Sequence, residues 1–183
     1  MGNWFQTLVD IEATADEAAV LGKSLIDWLL HTGVIAGEPS NDCVLGGDGY
    51  RPGERYATAL ADPSEDWFLG PGVNGVRATT ESNVFHAGQL GVHVECPRCQ
   101  NEVDFEDAIV PGIDDWLFDG GTGIRPCPGC GTRFTLNGWN WQPPWAFGYL
   151  GLEFWNWPLL SKQFIASVGE RLGHRLVVVE GKV

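Results

Sequence analysis

The sequence predicts an α+β fold, in which an antiparallel sheet carries two helices on one face and a cysteine-bounded insertion interrupts the chain. Three observations lead there. Two segments show apolar stripes at helical spacing, each with its own start and stop signals. Apolar runs with strand character flank them, in the order strand, helix, strands, strand, helix, strand. Two CxxC pairs bound the stretch that breaks this order, so 1–95 and 138–183 are expected to form the core and 96–137 a module set into it. A length of 183 residues suits one domain carrying such a module.

Residues 4–11, WFQTLVDI, place Phe5, Thr7, Val9 and Ile11 on one face of a strand. Thr14 and Glu17 then form a capping box, each able to satisfy the other's unpaired N–H. The helix they open is expected to run to about Thr32, with Leu21, Leu25, Trp28 and Leu29 on its apolar face and Gly33 as the stop. Residues 37–75 are rich in Gly, Pro and Asp, and RYATAL (55–60) is the one strand expected among their turns. VRATTESNVFH and LGVHVEC predict two strands with a turn at Gly88–Gln89. FGYLGLEFWNW (147–157) reads as a strand, and Pro158 suits the first position of the second helix. Leu160, Phe164, Val168 and Leu172 recur every four residues along it, and Gly173 ends it. HRLVVVEGKV closes the chain as a largely buried strand. The whole order suggests a ferredoxin-like sandwich.

Composition narrows the partners. Acids outnumber bases 24 to 11, a net charge of -13, which repels nucleic acid and membrane surfaces and favours a basic partner. There is no basic start followed by a long apolar run, and no stretch approaches the ~20 apolar residues of a membrane span. The expectation is a cytoplasmic protein. Five cysteines, an odd number, fit a reducing compartment better than a disulfide framework. Five of the nine tryptophans fall in 138–158, where they serve either as core or as contact surface.

The pairs Cys96/Cys99 and Cys127/Cys130 each put two thiols on a tight turn, and together they offer four soft ligands for one tetrahedral ion. Two pairs, each with an internal proline, favour a metal over a redox dithiol. CPRC and CPGCG resemble the two knuckles of a zinc ribbon, and FTL after the second resembles its returning strand. That resemblance covers about 40 residues and implies one structural Zn²⁺, because four thiolates leave no open position for water or substrate. The 27 residues from Gln100 to Pro126 exceed a short hairpin, so extra structure is expected there.

Between Cys96 and Cys130 stand seven acids against Arg98 and Arg125 alone, the reverse of a nucleic-acid footprint. Asp104, Glu106, Asp107, Asp114 and Asp115, with Trp116 and Phe118, are the candidate contacts for a protein partner. The counter-reading is that the apolar members pack the insertion onto the sheet while the acids face water. The leading expectation is a non-enzymatic protein that binds a basic protein, as a toxin-neutralising immunity protein or inhibitor would. One alternative is an enzyme with a cleft near His86 and His93. Another is a transcription- or translation-associated regulator. Cys43 has no activating histidine recognisable in the sequence, and LGGDGYRPGE matches no phosphate loop.

Overall fold

The computed structural model describes residues 2–88 and 91–183. Gln89, half of the expected turn at Gly88–Gln89, and Leu90 lie outside them. The main sheet is built from β1 (Trp4–Asp10), β2 (Ile35–Ser40), β3 (Gly49–Pro52), β4 (Val76–Thr79), β11 (Leu150–Trp155) and β12 (Leu176–Lys182). Its order is β12-β1-β11-β4-β3-β2, and every neighbouring pair is antiparallel. Helix α1 (Ala15–Thr32) lies between β1 and the rest of the first half, and α3 (Lys162–Leu172) joins β11 to β12. Strands β1 and β4 therefore run parallel with β11 between them, and β11 and β12 run parallel with β1 between them. This is the split β-α-β arrangement of a ferredoxin-like sandwich, widened at one edge by the β2–β3 hairpin.

Both helices cover one face. Leu25, Ile26 and Leu29 of α1 and Phe164 and Val168 of α3 join Leu8, Leu152, Phe154 and Trp157 in one core. Trp28 stacks on Phe164 at 6.0 Å where the helices meet. Each fully buried side chain of this core contributes about 1.5–3 kcal/mol to stability. The Glu17 carboxylate accepts from the Thr14 N–H (3.1 Å) and hydroxyl (2.7 Å), and Gly33 ends α1 at a φ of 75°.

Three expectations need correction. Tyr56–Ala59 is a 3₁₀ turn, not a strand: Arg55 N–H reaches back to the Gly33 carbonyl (2.8 Å), and tight local bonds follow. The strands of this region are β2 and β3, whose register shifts between Ala36 and Ser40 around Gly37 and Pro39. Pro158 does not open α3. The Ser161 hydroxyl does, accepting the Phe164 N–H at 3.0 Å, while the Pro158 carbonyl accepts from the buried Gln6 amide. The last strand is only half-buried, because β12 is a sheet edge.

The other sheet face is covered by a small ribbon of β5 (Asn83–Phe85) and β10 (Ala146–Gly148). Val9, Phe85, Ala146 and Val179 close that side. Beyond the ribbon, β6 (His93–Glu95) pairs with β9 (Asn140–Gln142) and leads into and out of the cysteine-bounded insertion. The insertion holds a π-helical turn (Phe105–Ile109), a third helix α2 (Val110–Leu117), and the short pair β7 (Arg125–Pro126) and β8 (Arg133–Phe134). This is the extra structure that the long spacing required.

Candidate metal centre

Each CxxC pair sits on a turn, and the two turns share one hydrogen-bond pattern. In the first, Gln100 N–H donates to the Cys96 carbonyl (2.9 Å) and Cys96 N–H to the Asn101 carbonyl (3.0 Å). In the second, Gly131 N–H donates to the Cys127 carbonyl (2.8 Å) and Cys127 N–H to the Thr132 carbonyl (2.8 Å). The residue after each second cysteine must turn left-handed: Gly131 has a φ of 71° and Gln100 a φ of 60°. Glycine does this freely, whereas glutamine does it under strain.

The repeated pattern points all four thiols inward. Cys96 and Cys130 Sγ lie 3.8 Å apart, Cys99 and Cys127 Sγ 3.7 Å apart, and all four fall within 4.8 Å of one another. Gly129 N–H donates to Cys127 Sγ at 3.3 Å. The hydroxyl and backbone N–H of Thr132 pull the exposed Cys130 thiol down to about 6. At Cys99 the Asn101 N–H lowers the thiol, but burial and the three neighbouring thiols together push it up to about 12. Four thiols this close resist losing their protons together unless a cation takes the charge. Arg98 of the first turn donates to the Thr132 hydroxyl of the second (2.7 Å), tying the halves outside the sulfurs. The set can hold a metal ion.

Behind the sulfurs lies a second apolar core of Val94, Cys96, Val103, Ile109, Cys127, Leu136, Trp139 and Phe147. Trp141 and Trp145 stack at 5.3 Å and 7° on its flank, with Phe105 edge-on to Trp145. Trp155, at the end of β11, and Trp157, just past it, are buried. The tryptophan-rich segment is thus chiefly packing.

The seven candidate contact residues separate into two groups. Asp104, Glu106, Asp107, Asp114 and Phe118 are exposed, Phe118 at 77%. The Asp104 carboxylate also caps the turn, accepting the Asp107 N–H at 2.9 Å. Asp115 and Trp116 are half-buried: Asp115 accepts the Gly123 N–H (2.9 Å), and Trp116 packs on Tyr149 at 4.9 Å. His86 and His93 serve different surroundings. His93 pairs with Glu102 at 2.7 Å on open surface, while His86 lies against Trp145, tilted at 33°, beside a cleft in the sheet. Cys43 is fully buried, and burial pushes its thiol up, away from nucleophilic use.

Sequence reasoning missed the Arg98–Thr132 tie and the left-handed Gln100, for which no local signal exists. Gly131 marks the same position in the second turn and was legible. Comparison with known protein families, with curated proteins and with solved structures yields no match to this chain. Among the described residues, no helix is long and apolar enough to cross a membrane.

Proposed function

We propose that Cys96, Cys99, Cys127 and Cys130 bind one structural Zn²⁺, and that the insertion it stabilises docks a basic protein. A tetrahedral ion with Zn–S bonds of about 2.3 Å sets its sulfurs about 3.8 Å apart. The 3.7 and 3.8 Å separations between the thiols support that choice. With four thiolates the ion has no free position, so its work is to hold the two turns together.

The observation that carries the docking role is the outward surface of the insertion. Asp114 and Asp119 are exposed near Phe118 at the end of α2, and Glu106 and Asp107 are exposed at the start of the same helical segment, on a chain whose net charge is -13. An exposed ring rimmed by carboxylates suits a basic partner with an apolar contact at its centre. An immunity protein or other inhibitor of a basic toxin is one form this role takes.

The test is co-purification from the native cells of the wild-type chain and of a Glu106→Lys, Asp107→Lys, Phe118→Ala variant. A single basic protein retained at one-to-one stoichiometry by the wild type, and lost by a variant that still carries one zinc, is the expected outcome. Equal retention by both chains, or none by the wild type, overturns the docking role. Absence of zinc in a fresh reduced preparation overturns the metal assignment.

A further inference from the structure

The sheet face opposite the helices contains a cleft of about 180 Å³ that neither the metal centre nor the acidic insertion uses. An apolar cavity of about 150 Å³ accepts benzene, so this one has room for a small compact molecule or side-chain head. Its floor is Thr7 and Glu153, directly opposite each other on β1 and β11 and both more than nine-tenths buried. Phe5, Phe85 and Trp155 wall it, and His86 stands at its exposed rim.

Several features hold these groups in place. Gly151 leaves room for Phe85, since a Cβ there would meet its ring at 2.4 Å. Gly181 does the same for Phe5, again at 2.4 Å. Trp155 is anchored by its indole N–H, which donates to Glu153 at 3.0 Å. The cleft is therefore shaped before anything enters it.

Its chemistry is selective. The Glu153 carboxylate already accepts two bonds from Arg77 (3.0 and 3.2 Å), one from Thr79 (2.6 Å) and one from Trp155. A ligand offering N–H donors finds no free lone pair there. Arg77 pairs with Glu153 from β4 and does not line the cleft, so a guest meets the carboxylate end of a paired ion rather than the guanidinium. The Gly88 N–H donates to His86 Nδ1 (3.1 Å), which occupies that acceptor as well. Aromatic rings beside a carboxylate attract cations, and apolar walls favour those with little hydration to lose. No lysine or arginine is among the described lining residues, and the chain's net charge of -13 discourages anions.

We propose that this cleft binds a quaternary ammonium group, held by the Phe5, Phe85 and Trp155 rings over the Glu153 carboxylate. The site is independent of the metal centre and of the docking role. The group comes either from a free small molecule or from a trimethylated lysine side chain.

The test is an NMR titration of the intact, zinc-loaded chain that follows the Trp155 indole N–H. The probes are tetramethylammonium, neutral tert-butanol and anionic pivalate, which are similar in size and differ in charge. Tetramethylammonium is expected to shift the resonance saturably, with tert-butanol about fivefold weaker or more and pivalate without effect. Phe5→Leu keeps apolar volume but removes a ring, and should weaken the cation severalfold while leaving tert-butanol unchanged. Glu153→Gln should act in the same direction; if it fails to fold around an unpaired Arg77, Phe5→Leu still decides. No saturable shift, equal affinity for tert-butanol or pivalate, or an unaffected Phe5→Leu variant overturns the proposal. A peptide carrying trimethyllysine that competes with tetramethylammonium, where its unmethylated form does not, identifies the side-chain source. A peptide that does not compete identifies the free ammonium.

Discussion

At the residue scale, the two cysteine turns share one hydrogen-bond pattern but differ in the residue that must turn left-handed. Gly131 takes its left-handed conformation at no steric cost, and Gln100 takes the same one under strain. Gln100→Gly is expected to stabilise the chain by about 1 kcal/mol without changing metal content, measured by chemical denaturation. His174 offers a second residue-level test. Its Nδ1 lies 2.8 Å from the buried Asp10 carboxylate, and that hydrogen bond holds its pKa above the ordinary histidine value. A raised pKa in the folded state contributes stability that is complete below about pH 6.5 and lost as pH rises through the higher folded value. The stability difference between wild type and His174→Gln should therefore be larger near pH 5 than near pH 9.

At the element scale, legibility followed how local the cause was. α1 was readable because the Thr14–Glu17 box, the apolar stripe and Gly33 all lie within its own sequence. The start of α3 was misplaced because Pro158 is a generic signal, whereas the deciding bond comes from Ser161. Ser161→Ala should cost about 1 kcal/mol in urea unfolding, with no comparable loss for Pro158→Ala at the helix start. β2 escaped notice because IAGEPS lacks alternation, and its pairing to β3 is set by tertiary contact. The four cysteines were legible from spacing alone. The aromatic cleft was not, since Phe5, Phe85 and Glu153 come from three different strands.

At the scale of the whole molecule, the two larger apolar cores stand on different supports. The sheet–helix core is held by ordinary packing, while the core behind the cysteines contains two of the thiols themselves. Removal of the proposed ion should accordingly act on one core before the other. A strong chelator at neutral pH is expected to abolish much of the near-ultraviolet circular dichroism arising from Trp139, Trp141 and Trp145. The far-ultraviolet signal of the sheet and helices should largely persist. Simultaneous loss of both signals would mean that the sheet depends on the ion too.

The irregular pairing of β2 bears on how the protein behaves in a crowded solution. An open sheet edge is a template on which further chains can add strands. Here the outermost strand carries Glu38 and Pro39 where its register shifts, so its pairing is interrupted and it bears a charge. Replacing both, as Glu38→Val with Pro39→Thr, should leave the melting temperature nearly unchanged. It should also lower the concentration at which the protein forms fibrillar aggregates, measured by light scattering. A kink that contributes little to folding would then be what keeps further strands from adding at the β2 edge.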